Sequence, residues 1–205
     1  MDSSTYAVGS LDALRTLLRD GPLRLGAGAD VVIVPTAAAF VGVTEAAVST
    51  SDPFDAFDVR VEALMVSDRA AAEDRHCVER LERAELVVLC DGSPLHARSV
   101  WRATALGEAI NRAATLVAIG AVATALGDVM IDPRGGAPTT GLGFRRGAAL
   151  CLPSSDEQMS RTRSLLGDVA LFVIGASGIA RHDGEAWRVV TGDVVVTRGH
   201  DVVES

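Results

Sequence analysis

Three short runs of mostly apolar residues in this chain show no alternation between polar and apolar positions. They are Val31–Val34, Leu86–Cys90 and Thr115–Ile119. A strand with apolar side chains on both faces must be covered on both faces, which is typical of parallel sheets flanked by helices. Helix-like segments separate the runs, so the sequence predicts a doubly wound α/β fold.

Further elements fit around these runs. Phe57–Val66 alternates in part and predicts a strand, after which Asp68 is expected to cap the next helix. Helical composition also follows the second and third runs, beginning at Pro94 and over Ala121–Leu126. The segment Gly127–Gly143 is rich in Gly and Pro and is predicted to be a loop.

The C-terminal part of the chain changes from helices to short strands. Ala148–Leu152 predicts a strand, and Ser155 opens a capping box for a further helix. Asp183-Gly184 is a hairpin-turn signal between two strand-like segments, and Val194–Val196 follows as another strand. The predicted fold class is therefore α/β: a doubly wound, mainly parallel sheet flanked by helices, with an antiparallel C-terminal hairpin extension. We expect one domain over residues 1–205.

The charged residues exclude several classes of function. All 19 basic residues are Arg, so Schiff-base chemistry, pyridoxal phosphate attachment and a phosphate-loop Lys are excluded. The net charge of -8 argues against nucleic acid and anionic membranes as partners. The sequence shows neither a membrane-spanning apolar run nor a secretion signal, so a cytoplasmic protein is expected. Arg without Lys, with abundant Ala, Gly and Val, is typical of a GC-rich bacterial source.

The Cys and His residues give no metal-binding pattern. Cys77, Cys90 and Cys151 are odd in number and lack ligand spacing, so we expect reduced thiols. No His and carboxylate pair has ligand spacing either. We therefore expect neither a metal nor a cofactor.

Two strand ends form the candidate site. In open parallel sheets, ligands bind beyond the carboxyl ends of the strands. Cys90–Pro94 and Ile119–Ala121 are Gly-containing turns at such ends, and both lead directly into helical segments. Backbone N–H groups at helix starts suit an anion or an oxyanion. Ser93 is expected to be the N-cap of its helix.

Five segments of the chain occur in an order that is fairly specific. They read "VVIVPTAAA", "AELVVLCDGSPLHARSVWRATAL", "ATLVAIGAVATALGDVMIDPRGG", "TGLGFRRGAALCLP" and "VALFVIGASGIARHDGEAWRVVTGDVVV". This succession resembles the cyanophycinase and alpha-aspartyl dipeptidase family of serine peptidases. The resemblance covers about residues 30–197, and the first thirty residues match weakly. It implies a class I glutamine amidotransferase-like fold.

The resemblance also implies where catalytic groups would lie. The family places its nucleophilic Ser in a Gly-x-Ser-Ala-Gly turn, whose Ser position is Gly120 here. Its Gly-Gly-Asn-Gln-type loop, which supplies an oxyanion N–H, corresponds to Asp91–Pro94, with Asp91 in place of a Gly. Its His corresponds to Ser154, and its late acidic turn falls on Val173–Ala176, which contains no acid. The resemblance therefore implies a degenerate, non-hydrolytic member.

From these residues we predict a ligand site without catalytic residues. The expected ligand is small and peptide-like, and Asp91 would oppose an oxyanion while favouring a cationic group. The predicted ligand-binding residues are Asp91, Gly92, Ser93, Gly120 and Ala121.

Two alternatives stay open at this point. In the first, the chain is an enzyme of different chemistry that uses the Cys90 thiol, with His96 as its base. In the second, it is an interaction module, whose function depends on a homodimer or protein partner rather than on the pocket. Thr124 is expected to pack within its helix rather than act as a nucleophile. His182 is expected at the surface, and Arg145-Arg146 are expected to be solvated or paired with acids, with an anionic ligand as the alternative.

Overall fold

A computed structural model describes residues 4–199 and 201–204. Five parallel strands form the centre of its larger, seven-stranded sheet, in the order β1-β5-β4-β2-β3. Their bounds are Ser4–Val8 for β1, Ala29–Val34 for β2, Val59–Ala63 for β3, Leu86–Leu89 for β4 and Thr115–Ile119 for β5. The prediction of a mainly parallel α/β sheet from the apolar runs is confirmed.

Helices cover both faces of this sheet. Along β2, Val31 and Ile33 pack with α1 and α2, whereas Val32 and Val34 pack with the helices of the other face. Both sets of side chains are buried, which explains the absence of alternation in the sequence. The helices are α1 Leu11–Arg19, α2 Val43–Ser51, α3 Arg75–Arg83, α4 Pro94–Trp101, α5 Ala105–Arg112 and α6 Asp156–Leu166. No helix in the described ranges has the length and hydrophobicity needed to span a membrane.

The later strands complete the large sheet and build a smaller one. Their bounds are β6 Val129–Ile131, β7 Pro138–Thr140, β8 Ala149–Cys151, β9 Ala170–Ile174, β10 Ile179–His182, β11 Trp187–Thr191, β12 Val194–Arg198 and β13 Asp201–Glu204. The hairpin of β10 and β11 pairs antiparallel with β1, so the predicted C-terminal extension is confirmed. The remaining strands form a second sheet of six, in the order β13-β12-β9-β8-β6-β7.

Three local predictions were wrong. Gly127–Gly143 is not a continuous loop, because it contains β6 and β7. The carboxylate of Asp68 accepts the N–H of Ala71, at the start of a short 3₁₀ turn, and α3 begins later, with Asp74 as its N-cap. Gly120–Ala125 is a 3₁₀ helix rather than an α-helix.

Candidate functional site

The candidate site lies where β4 and β5, which are hydrogen-bonded neighbours, reach their carboxyl ends. Each strand continues into a turn whose Gly has a positive φ, 149° at Gly92 and 60° at Gly120. At Gly92 a Cβ atom would lie within 2.8 Å of the backbone of Ala37 and Ala38, so only Gly fits. The two turns predicted from the sequence are therefore brought together.

The carboxylate of Asp91 binds both turns. Its Oδ1 atom accepts hydrogen bonds from the backbone N–H of Gly92 at 2.7 Å and of Ala121 at 2.8 Å. These are strand-end N–H groups of the kind expected to hold an anion. In this structure the anion that these two N–H groups bind is the side chain of Asp91.

Gly120 and Asp91 depend on each other sterically. A Cβ atom on Gly120 would lie within 2.6 Å of the carboxyl carbon and both oxygens of Asp91. The carboxylate thus fills the space where the first side-chain atom of residue 120 would stand. The backbone of Gly120 is also left-handed, which disfavours any residue with a Cβ.

Ser93 is an N-cap, as predicted. Its Oγ atom accepts the backbone N–H of His96 at 3.2 Å, and Pro94 takes the first position of α4. The ring of His96 is hydrogen-bonded through Nε2 to the carbonyl of Ser67 at 2.9 Å. The His96 and Phe40 rings form an edge-to-face pair with centroids 4.9 Å apart, and Phe40 is 76% exposed. An exposed aromatic side chain therefore lies beside the start of α4.

An apolar cavity of about 230 Å³ adjoins one of these turns. Ala121 and Ser154 both line it, although the two residues are far apart in sequence. The hydroxyl of Thr124 donates to the carbonyl of Ala121 at 2.8 Å, as expected for a side chain that packs within its helix. The lining residues are Pro94, Ala121, Thr124, Ile131, Pro133, Cys151, Leu152, Pro153, Ser154, Gln158, Met159 and Thr162.

A groove of about 420 Å³ is lined by Asp91 and by the start of α1. Besides Asp91, its charged side chains are Asp12 and Arg15, and the guanidinium of Arg15 bonds the carboxylate of Asp12 at 2.7 Å. The lining residues are Gly9, Ser10, Leu11, Asp12, Arg15, Asp91 and Ile119. Asp91 lines this groove and Ala121 lines the apolar cavity, so the hydrogen bond between the two residues joins the two depressions.

An acidic group missed by the sequence reasoning lies at the end of β9. Val173–Ala176 has no acid of its own, but a Cβ atom on Gly175 would lie within 3.0 Å of the side chain of Asp193. The backbone N–H of Gly175 also donates to the carbonyl of Asp193 at 2.7 Å. Asp193 belongs to the turn between β11 and β12, far from Gly175 in sequence, so only the folded structure shows that the two are neighbours.

The arrangement needed for thiol chemistry is not formed. Cys90 is 1% exposed, and its Sγ atom lies 3.2 Å from the hydroxyl of Thr50. Burial raises the pKa of the Cys90 thiol to about 11, which keeps it protonated at neutral pH. The His96 ring bonds Ser67 rather than this sulfur. Burial likewise raises the pKa of Cys151, in the wall of the apolar cavity, to about 12.

Two polar residues lie deeper than predicted. His182 is 4% exposed, so its expected surface position is wrong. Arg145 is also 4% exposed, and its guanidinium donates to oxygens of Thr5, Asn111 and Phe144. Arg145 is thus not solvated, and its hydrogen bonds go to uncharged oxygens of the protein.

Over the described ranges, no group of three or more His, Cys, Asp or Glu side chains is placed to hold a metal ion.

Comparison with known proteins finds similar solved structures, whereas comparison by sequence finds no match. No protein-family model and no curated protein matches this chain. A peptidase from an acI-B1 actinobacterium has a similar structure, with a TM-score of 0.75 and 21% identity over 97% of this chain and 91% of that one. A candidate peptidase E protein from Listeria monocytogenes EGD-e gives a TM-score of 0.67 and 12% identity over 97% and 99%. The chain therefore has the fold of these two structures.

Proposed function

We propose that this chain is a non-hydrolytic relative of serine peptidases and that it binds a small peptide-like ligand at Asp91. The observation that carries the proposal is the carboxylate of Asp91 on the N–H groups of Gly92 and Ala121. The fold shared with two proteins named as peptidases supports the relationship. So does the sequence resemblance to cyanophycinases and alpha-aspartyl dipeptidases.

Peptide hydrolysis of the serine type needs groups that this site does not offer. It needs a nucleophile, a base that activates it and free N–H donors for the developing oxyanion. Gly120 has no side chain, and Ser154, at the position expected for the base, does not accept a proton at neutral pH. The donors at Gly92 and Ala121 already hold a carboxylate. An oxyanion would have to displace Asp91 and would be repelled by it.

The groove at Asp91 and the apolar cavity at Ala121 together favour a ligand with a cationic and an apolar part. Both bonds to the turns use Oδ1 of Asp91, which leaves Oδ2 as an acceptor for an ammonium group. The apolar cavity of about 230 Å³ suits one side chain, since pockets for whole drug-sized ligands begin at roughly 300 Å³. An aliphatic aminoacyl group, with its free amine on Asp91, meets both conditions.

Binding of amino-acid amides tests this site. Leucinamide is expected to raise the melting temperature and to bind in calorimetry, whereas N-acetyl-leucinamide, which lacks the charge, is expected to do neither. Asp91→Asn keeps the shape of the side chain and should abolish binding; Asp128→Asn, an exposed carboxylate elsewhere, is its matched control. Ser154→Phe should block the cavity mouth. Equal binding of both amides, or binding that survives Asp91→Asn, would contradict the proposal.

A second experiment tests the loss of hydrolysis. The wild-type protein should not react with a fluorophosphonate, a probe for activated Ser. The variant Asp91→Gly/Gly120→Ser/Ser154→His restores the family pattern and frees the N–H pair, and it should be labelled. Its control is the same variant with Ala in place of Ser at position 120. Hydrolysis of leucinamide or a dipeptide by the wild-type protein would refute the non-hydrolytic assignment.

A further inference from the structure

The outer edge of β3 is an open strand edge at one end of the large sheet. In the part of the chain that the structure describes, β3 is paired with β2 alone. Leu64 donates its N–H to the carbonyl of Ile33 at 2.9 Å, so the alternation of strand groups turns the N–H and C=O of Val61 and Ala63 to the open edge. These backbone groups are available to another strand.

β3 lacks two of the devices that usually protect an edge, a Pro and a bulge, although it carries the charged residues Arg60 and Glu62. Val59–Ala63 contains no Pro, and its pairing with β2 runs without a bulge. At the opposite end of the sheet, the pairing of β10 with the edge strand β11 shifts register between Ile179 and Ala180. The two ends of one sheet are thus built differently, and only the β3 end is regular.

An apolar surface accompanies this edge. Val61 on β3 is 38% exposed and Val48 on α2 is 58% exposed. Between the strand and the helix runs a groove of about 510 Å³, whose walls include Phe54 and Phe57. Valines exposed in this way cost free energy in water unless another surface covers them.

The sequence of β3 is complementary to itself. If two copies pair antiparallel with Val61 at the centre, Val61 faces Val61 of the other copy, and Arg60 faces Glu62 of the other copy. Within one chain, Arg60 already bonds Asp30 at 2.8 Å, and Glu62 accepts a bond from Arg80 at 2.7 Å. Pairing would place Arg60 of one copy beside Glu62 of the other on both sides of Val61. Each such contact would connect the Arg60–Asp30 pair of one copy with the Glu62–Arg80 pair of the other, so that cations and anions alternate.

We propose that the β3 edge binds the β3 edge of a second copy, so that the large sheet continues through both. Val61, whose N–H and C=O face outward, then forms a hydrogen-bonded pair with its counterpart. The twofold axis brings the two α2 helices to the same side, where the Val48 and Val61 side chains of both copies cover one another. The proposal is independent of the ligand site at Asp91.

Solution mass tests the proposal. The wild-type chain is expected to be a dimer at micromolar concentration in light scattering coupled to size exclusion. Val61→Lys sets two cations face to face at the centre and should give a monomer that remains folded by circular dichroism, since position 61 is exposed. Leu165→Lys, an exposed apolar residue on α6, is the control and should stay dimeric. A wild-type monomer, or a dimer that survives Val61→Lys, would overturn the proposal.

Charge exchange and cross-linking test the register. Arg60→Glu should raise the dissociation constant about tenfold or more, and Arg60→Glu/Glu62→Arg should recover part of the loss. The double variant restores the attraction between the two copies, but within each copy it sets like charges against Asp30 and Arg80. Val61→Cys should give a disulfide-linked dimer on mild oxidation, since opposite residues of a hydrogen-bonded pair have Cα atoms about 5.5 Å apart, within disulfide range. Leu165→Cys should give none. Failure of Val61→Cys to cross-link in a dimeric protein would exclude this register.

Discussion

The proposed loss of hydrolysis depends on Asp91, because its carboxylate occupies the N–H donors of Gly92 and Ala121. A carboxylate that accepts two N–H groups is geometrically close to a bound oxyanion. Under the proposed relationship, Gly120 replaces a Ser and Asp91 replaces a Gly, and the two replacements form one combined change because a Cβ at position 120 would overlap Asp91. Either substitution alone would leave an overlap or an empty space.

A double-mutant cycle measures this coupling. Gly120→Ser alone should lower the free energy of unfolding by about 2 kcal/mol or more, since it adds a Cβ at positive φ and against Asp91. In the Asp91→Gly background the overlap disappears, so the same substitution should cost less. We expect a coupling energy of about 1–3 kcal/mol from urea unfolding of the four proteins. Additive effects would mean that Asp91 moves aside freely.

Removal of Asp91 should also open an anion site. In Asp91→Ala the N–H groups of Gly92 and Ala121 lose their acceptor, and an external oxyanion can replace it. Sulfate stabilises folded proteins in general, so the wild type should melt somewhat higher in sulfate than in chloride at equal ionic strength. The gain from sulfate should be clearly larger in Asp91→Ala than in the wild type, because only the variant has the open anion site. Asp128→Ala serves as the control for a lost surface charge. The same response in Asp128→Ala would assign the effect to bulk salt.

The three thiols should differ in alkylation according to their burial. Cys77 is half-buried, whereas Cys90 and Cys151 are buried and have pKa values raised to about 11 and about 12. Iodoacetamide at neutral pH should therefore modify Cys77 first and reach the other two only on unfolding in urea. Mass spectrometry of peptides taken at successive times gives the order. Rapid modification of Cys90 in the folded protein would revive the thiol alternative.

At the scale of elements, the strands and turns differ in how far the sequence predicts them. β2, β4 and β5 are predictable because helices cover both of their faces and nearly every position is apolar. β6 and β7 are not, because a strand of three residues has too few side chains to show a period and depends on its partner strand. The bond from Asp91 to Ala121 depends on strand pairing across 30 residues, which no local pattern encodes.

The hairpin of β10 and β11 should make stability depend on pH. The Nδ1 atom of His182 accepts the N–H of Gly184 at 3.1 Å, so the neutral ring carries its proton on Nε2 and donates to the carbonyl of Arg146 at 3.2 Å. Burial lowers the pKa of His182 from its ordinary value of 6.5. The unfolded chain then binds the proton more readily than the folded one, and stability falls as the pH drops below about 6.5.

Urea unfolding at several pH values between about 7.5 and 5 tests this sign. The free energy of unfolding should decline over that range in the wild type, and His182→Gln should show a shallower decline although it starts lower. His76→Gln, on the exposed surface of α3, is the matched control and should keep the wild-type slope. A slope that His182→Gln leaves unchanged would assign the pH dependence to other groups.

At the scale of the whole molecule, the β1 strand shows the limit of reading a fold from local patterns. Its sequence Ser-Thr-Tyr-Ala-Val gives no long apolar run, and the resemblance to known peptidases is weak over this part. Yet β1 lies inside the sheet, parallel to β5 on one side and antiparallel to β10 on the other. Thr5 and Tyr6 are buried because of these neighbours, which are more than a hundred residues away in sequence.

Truncation at the two ends of the chain distinguishes an inner strand from an edge strand. Removal of residues 1–8 deletes β1 and exposes both β5 and β10, so the large sheet loses its connection to the hairpin. We expect such a chain to be insoluble or to lack a cooperative unfolding transition.

The matched truncation removes residues 199–205 and with them only β13, which pairs with β12 at the edge of the smaller sheet. This variant should stay folded, with a melting temperature lowered by a few degrees. Circular dichroism during heating compares the two. If the chain without β1 still melted cooperatively near the wild-type temperature, β10 would have to pair directly with β5, and the strand order of the large sheet would not be essential to its stability. The loss of one inner strand should instead remove the cooperative core on which the turns at Asp91 and Gly120 are built.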